Sequence, residues 1–337
     1  MDKSAYIGHD SQLCGVEEHR LVGGKGDGMR LLEIRNGLGL ELTVSADRCC
    51  DISRLSFKGD NYAFFSIDGY VAPQYFDNRG LGWLKSFTAG FLTTCGLTAV
   101  GDPEVSDGEE LPLHGYVANL PAEHVYWYET EDALVIHGKI PHVQTLGGKL
   151  ILYRMLEISK KENTIRLRDT IRNLDARPSP LMVLYHMNMG YPLLSETAEL
   201  CIPSVKVEPR SEFAAEGLAH WNEIIPPQPG IDEQCYYHSF SEKGIAALYN
   251  PAIGKGVEIS FDAENLDFFT QWKMMGVRDY VMGLEPGNCS PDGRNAMRES
   301  GRLKILGPGE EKSYELLVSM VEGETEWTAR KAGYQAK

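Results

Sequence analysis

The sequence predicts an all-β fold, a large antiparallel β-sandwich, on three observations. Apolar residues recur with period two rather than 3.6, short turn formers separate the apolar runs, and no regular alternation of strand and helix supports a parallel α/β core. In Thr164-Ile165-Arg166-Leu167-Arg168, Ile165 and Leu167 share one face of an extended chain while Arg166 and Arg168 share the other.

In chain order, this pattern places strands at about 28–35, 38–44, 124–129, 132–139, 149–159, 181–187, 198–207, 245–250, 256–261, 266–273, 279–285, 301–306 and 312–322. Asn36-Gly37, Gly147-Gly148, Lys161-Glu162-Asn163, Gly254-Lys255-Gly256 and Pro308-Gly309 supply turns between them. The glycine-rich run Gly23 to Gly28 precedes a strand and not a helix, so it reads as a turn rather than a phosphate cradle. Two stretches, 66–115 and 208–236, lack periodicity and are expected as long loops, where binding residues collect on a rigid scaffold. Nothing between 28 and 322 reads as a linker, so residues 1–337 are expected to form one domain with its core at about 28–321.

Composition narrows the function classes. The 337 residues are 42% hydrophobic and 24% charged, which suits a globular protein with a full-sized core. With 33 Lys+Arg against 48 Asp+Glu the net charge is -15, the wrong sign for nucleic acid or an anionic membrane surface. Seven scattered cysteines without a C-x-x-C pair signal neither a disulfide framework nor a thiolate zinc site. The polar N-terminal stretch lacks a signal-peptide core, and a cytoplasmic location is expected.

Acid–base chemistry has two foremost candidates. His186 ends the apolar run Leu181 to Tyr185 where a strand meets a turn, and an imidazole there can gain or lose a proton near neutral pH. Glu285 ends the run Tyr280 to Leu284, where a carboxylate is costly unless paired or used. His114, followed by Gly115, could assist them. Each histidine has the alternative of a core residue bonded to backbone, and Glu285 that of a salt bridge. A divalent metal could gather His114, His186, Glu285 and His124, but no short paired spacing supports it. His137 and His142 flank Pro141 at i, i+5, so no metal or other cofactor is expected.

These residues carry a family resemblance. Asp169 through Asn173, then Pro178, Pro180, Tyr185, His186 and Asn188, resemble a strand pair of the galactose mutarotase (aldose 1-epimerase) superfamily in which the histidine is the general acid. Gly283-Leu284-Glu285-Pro286-Gly287-Asn288 with Pro291-Asp292 resembles the segment whose glutamate is the general base. Leu113-His114-Gly115 is similar to the motif of a second, sugar-contacting histidine, and Leu306-Gly307-Pro308-Gly309-Glu310 to the turn before the last strand. The resemblance is closest to a branch with the segment Gly-x-Leu-Thr-Thr-Cys-Gly-Leu and implies a galactose mutarotase-like supersandwich with a sugar cleft on its concave sheet. Tyr185, Asn188 and Gly287 depart from the superfamily's usual residues, and its early sugar-binding arginine aligns best with Arg79 and next with Arg48.

By this resemblance the protein is a cofactor-independent sugar epimerase. Glu285 as carboxylate and His186 as imidazolium would stand on opposite sides of the C1–ring oxygen bond, converging across a gap the size of a pyranose. Substrate-binding candidates are Arg79, Lys85, Lys273, Asn188, Asn288, Trp83 and Trp272. The three cations together could clamp the carboxylate or phosphate of a sugar acid, and Lys273 could stabilise an enediolate. The partner is thus a small-molecule sugar or sugar acid, with a homodimer left open. The alternatives are an aldose–ketose isomerase or C–H epimerase on the same fold, and a carbohydrate-binding sandwich without catalysis.

Overall fold

The computed structural model describes residues 4–335. Three antiparallel sheets make up most of the molecule. Gly15–Arg20, Arg30–Arg35, Leu40–Ser45, Asp51–Phe57 and Asp60–Asn61 form a five-stranded meander. An eight-stranded sheet runs, in spatial order, Glu199–Cys201, Lys243–Asn250, Lys255–Asp262, Glu311–Glu322, Thr164–Asn173, Lys149–Ser159, Ala133–Val143 and Glu123–Glu129. The sheet that bears the site runs Lys206–Pro209, Gln234–Ser239, Phe268–Met275, Tyr280–Gly287, Ser179–Met189, Lys304–Leu306, and Leu92–Leu97 also pairs with Ser179–Met189. Among the described residues, no helix is long and apolar enough to cross a membrane.

Alternation decides which side chains enter the core. From Ser179–Met189, Val183, Tyr185, Met187 and Met189 join the main apolar cluster together with Ile165, Leu167 and Ile171 of the eight-stranded sheet. Met182 and Leu184 point the other way, into a smaller cluster with Trp83, Phe87 and Cys95. The strand is therefore buried on both sides, which explains its almost unbroken apolar sequence.

The strands expected from periodicity are present, with two kinds of correction. The expected strand at 198–207 is two, Glu199–Cys201 and Lys206–Pro209, which belong to different sheets. The stretches 66–115 and 208–236 are not wholly irregular: the first holds Leu92–Leu97, and the second runs into Gln234–Ser239. Leu92–Leu97 is buried along its whole length, so neither period two nor 3.6 marks it.

The sheets are tied by one buried polar network. Arg154 and Asp169 are cross-strand partners, and the guanidinium grips both carboxylate oxygens through Nε at 2.9 Å and Nη2 at 2.6 Å. Its Nη1 donates to Asp51 and to the Cys49 carbonyl, and Nη2 also donates to Thr94 Oγ1. Tyr185 donates its hydroxyl to Asp169 at 3.0 Å. Removing the arginine leaves two buried carboxylates without a counter-charge. Arg154→Leu is expected to lower unfolding stability by about 3–5 kcal/mol in urea titration, far beyond what an exposed Arg→Leu change produces.

Candidate active site

Register alone brings the two principal residues together. Leu184 opposes Gly287 and Met187 opposes Leu284, which sets His186 directly beside Glu285 on the neighbouring strand. The same row continues to Thr93 on one side and to Thr270 and Tyr237 on the other. His186 Nε2 lies 3.2 Å from Glu285 Oε1, and both side chains are buried at the base of a cleft of about 500 Å³. The pair is in contact, so the expected gap between them is absent.

Gly283 makes this contact feasible. A Cβ at that position would stand 2.2 Å from Glu285 Oε1 and 2.9 Å from Trp272 Cβ, so only glycine leaves the carboxylate in place.

Burial sets the protonation states. It lowers the His186 pKa to about 4 and pushes the Glu285 carboxyl well above its ordinary range, because the charged form of each loses water. The resting pair is therefore uncharged, a carboxylic acid beside a neutral imidazole, and not the expected carboxylate and imidazolium. The two arrangements differ only in which partner holds one proton.

His114 stands on the cleft wall with its backbone in the left-handed region, φ 56°. Its ring is 5.8 Å from that of His186 and 4.9 Å from that of Trp83. Nδ1 accepts the Gly101 N–H at 3.3 Å, which leaves the proton on Nε2. Burial first and the neighbouring His186 second lower its pKa to about 3, so His114 is a neutral hydrogen-bond donor across the physiological range. Trp83, Phe87 and Trp272 complete an aromatic wall, with the Trp272 ring 5.2 Å from that of His186. His186 Nδ1, Glu285 Oε1, Thr270 Oγ1 and Trp83 Nε1 are buried without a protein hydrogen-bond partner, an unusual concentration of unmet polar capacity.

Five expected binding residues are placed elsewhere. Lys273 alternates with Trp272 and so turns to the other face of the sheet, where Nζ donates to the His220 carbonyl at 3.1 Å. Lys85 is exposed and paired with Asp77 at 2.8 Å, and Arg79 is exposed at the start of the same 3-10 helix, Gly80–Ser86. The Asn188 amide donates to the Gly90 and His186 carbonyls, and that of Asn288 to the Leu181 carbonyl and the Tyr314 hydroxyl. Both asparagines lock strands and are absent from the cleft lining. Arg48 is spent on the carbonyls of Ala118, Val71 and Ser86, and His124 lies on the edge strand Glu123–Glu129 of the eight-stranded sheet.

Thr270, Glu233 and Arg210 are among the lining residues that escaped the sequence reading. Trp272 Nε1 donates to Glu233 at 2.7 Å, which fixes the indole. Arg210 donates to Asp292 at 3.1 Å and Asp102 at 2.8 Å. Among the described lining residues Arg210 is the one permanent cation, and it is already paired, while Asp68, Asp102, Glu233 and Asp279 also face the cleft. The electrostatic setting therefore repels anions, the reverse of the cationic clamp expected from Arg79, Lys85 and Lys273.

Known proteins share this fold. The family described as Domain of unknown function (DUF4432) matches residues 26–320. The chain belongs to that family. A crystal structure from Klebsiella pneumoniae, named as a "putative aldose 1-epimerase", superposes with a TM-score of 0.90 at 27% identity, over 95% of this chain and 87% of that one. The Slr1438 protein of Synechocystis gives a TM-score of 0.65 at 17% identity, over 90% of this chain and 100% of that one. A galactose mutarotase-like protein from Clostridium acetobutylicum gives 0.65 at 14% identity, over 92% and 99%. The fold is thus galactose mutarotase-like, in agreement with the resemblance read from the sequence. No curated protein matches the chain.

Family membership leaves the site to be probed by substitution. Gly283→Ala is expected to lower whatever turnover or ligand affinity the cleft has by about tenfold or more, since overpacking costs about 1–3 kcal/mol. An unchanged near-UV circular dichroism spectrum would place that loss in the cleft.

Proposed function

We propose that the protein is a cofactor-independent epimerase of the aldose 1-epimerase type, opening and reclosing the ring of a neutral aldose. The observation that carries this reading is the His186–Glu285 contact at the base of the cleft, ringed by polar atoms that lack protein partners. The name of the Klebsiella protein supports the same direction.

Ring opening needs a proton delivered to the ring oxygen and another removed from the C1 hydroxyl. These two oxygens share one carbon, so an acid and a base in contact can reach both. In the resting pair Glu285 is the proton bearer: it protonates the ring oxygen while His186 Nε2 takes the C1 proton. The pair is left as carboxylate and imidazolium. After the aldehyde rotates, the imidazolium returns its proton to the carbonyl oxygen and the carboxylate takes that of the chain hydroxyl, which closes the ring on the other face and restores the resting pair. His114 Nε2–H and Thr270 Oγ1 donate to sugar oxygens, and the Trp83 and Trp272 rings pack against C–H faces.

The neutral aldose is favoured over a sugar acid because the lining carboxylates outnumber its paired arginine. With Lys273 on the other side of the sheet, the lysine that would favour enediolate chemistry is missing from the cleft.

Anomer exchange followed by NMR or polarimetry over neutral aldoses, uronates and sugar phosphates tests the reading. Neutral sugars should exchange above the buffer rate and anionic ones should not. Glu285→Gln and His186→Ala should each lower kcat by about 10²–10⁴-fold, the usual contribution of a placed proton-transfer group. Absence of turnover on every sugar, or full activity in both variants, would refute the proposal.

The pH profile follows from the directions of the shifts. A lowered His186 pKa keeps its ring neutral down to about pH 4, and a raised Glu285 pKa keeps its proton beyond the ordinary carboxyl range. Buffer-corrected kcat/KM should therefore be level as pH falls through the ordinary histidine range and drop only near pH 4, when His186 gains a second proton. It should drop again in the alkaline limb as Glu285 loses its own.

A further inference from the structure

We infer that the edge strand Glu123–Glu129 is a self-association site, through which two copies of the chain pair antiparallel and join their eight-stranded sheets into one. The inference is independent of the chemistry of the cleft.

Glu123–Glu129 bonds to Ala133–Val143 and, among the described residues, to no strand on its other side. The Thr130 N–H donates to the Ala133 carbonyl at 2.8 Å, which sets the phase of the ladder. Tyr128 with Val135 and Tyr126 with His137 are then the bonded pairs, while Trp127 and Glu129 turn their N–H and C=O groups away from the sheet. A bulge at His124, φ 51°, ends the regular stretch, so the pairable segment is residues 125–129. Natural sheet edges are commonly blunted by Lys, Pro or an inward charge. The middle of this one carries aromatic residues: Tyr126, Trp127 and Tyr128 are 53%, 38% and 47% exposed, and Trp127 is the one exposed tryptophan of the five. Trp127 opposes the core residue Ile136, so the core face of the sheet runs out to this edge uncovered.

The occupant that fits is a second copy, because the segment Val125-Tyr126-Trp127-Tyr128-Glu129 repeats its aromatic pattern about Trp127 as a two-fold axis demands. With the two Trp127 residues opposite each other as a bonded pair, Tyr126 of one copy opposes Tyr128 of the other. That is a non-bonded pair with Cα atoms about 4.5 Å apart, where aromatic side chains meet and stabilise the pairing. The ring of His137 stacks on both tyrosines, with centroids 4.8 and 5.9 Å away, so less side-chain freedom is lost when the copies join.

Charge selects the same place. A chain of net charge -15 repels its own copy, so contact is least opposed where charge is cancelled. Glu123 lies 3.2 Å from Lys139, Glu129 pairs with Lys160, and Glu131 and Asp132 lie 3.8 and 3.5 Å from Lys161. Within residues 125–129 no like charges meet, since Glu129 faces Val125. At about 150–250 Å² per aromatic side chain, the three expose roughly 300 Å² per copy, about half of what each partner gives to a small stable interface. Main-chain pairing and the flanking side chains supply the rest, which makes the dimer concentration-dependent rather than obligate.

Sedimentation equilibrium of the full chain, from about 1 to 100 µM, tests the inference. The mass should rise with concentration from the 37.5 kDa of one chain toward twice that value. Trp127→Pro deletes an outward N–H while sparing the bonds to Ala133–Val143, and Tyr128→Lys sets a charge against Tyr126 of the other copy. Each should raise the dimer Kd by about tenfold or more with the far-UV circular dichroism spectrum retained. Should Trp127→Pro fail to fold, Tyr128→Lys decides alone. A chain that stays monomeric at the highest concentration overturns the inference, as does a dimer whose Kd is unmoved by either folded variant. A monomer whose tryptophan fluorescence shifts with cellohexaose, in the wild type and not in Tyr128→Lys, also overturns it, by assigning the aromatic strand to sugar binding.

Discussion

A guanidinium buried between two carboxylates is the constraint from which the arrangement of the sheets follows. Arg154 comes from Lys149–Ser159, Asp169 from Thr164–Asn173, Asp51 from the five-stranded meander, and Thr94 and Tyr185 from the sheet that bears the site. The arginine's donors are all engaged, so its desolvation is offset by geometry that only the assembled sheets provide. The Cys49 carbonyl belongs to this cage, and Cys49 and Cys50 both adopt positive φ to turn the chain around it. Cys50 Sγ occupies the space that a side chain at Gly138 would need. The adjacent cysteines thus have a packing role, and burial holds both thiols protonated.

That cage also orients the cleft. Tyr185 donates into it, and strand alternation then obliges His186 to face the opposite way, toward the aromatic wall. Glu285 reaches the same place from the adjacent strand by register alone. The juxtaposition of a titratable acid and base is therefore a property of two regular strands, which hold side chains more precisely than loops do. Loops contribute the cover: Trp83 and Phe87 from one long connection, Arg210 and Glu233 from another.

The fold was legible because period-two alternation survives wherever one face of a strand is less buried than the other, as in Thr164–Asn173. It failed for Leu92–Leu97, where both faces are covered and the pattern vanishes. Within the cleft, His186, Glu285, His114, Trp83 and Trp272 were picked out because unusual residues at strand ends and recurrent motifs are visible in one dimension. Lys273 misled for a reason that alternation already contained: it is one residue from Trp272, so both cannot face the same cleft. Thr270 could have been found by pairing it with Glu285, had the register been known. Arg210 and Glu233 offered no signal, since their place depends on how two irregular segments meet. Neither could the protonation state be read from the chain, because it follows from burial.

The uncharged state of the pair bears on why the cleft carries so much negative charge around it. An ionised Glu285 would be repelled by Glu233, which raises its pKa further, whereas the protonated acid is indifferent to it. An anionic substrate placed over the pair would add to that repulsion. Surrounding acids and a neutral pair are thus mutually consistent, and both are consistent with a ligand that brings hydroxyl groups and no charge.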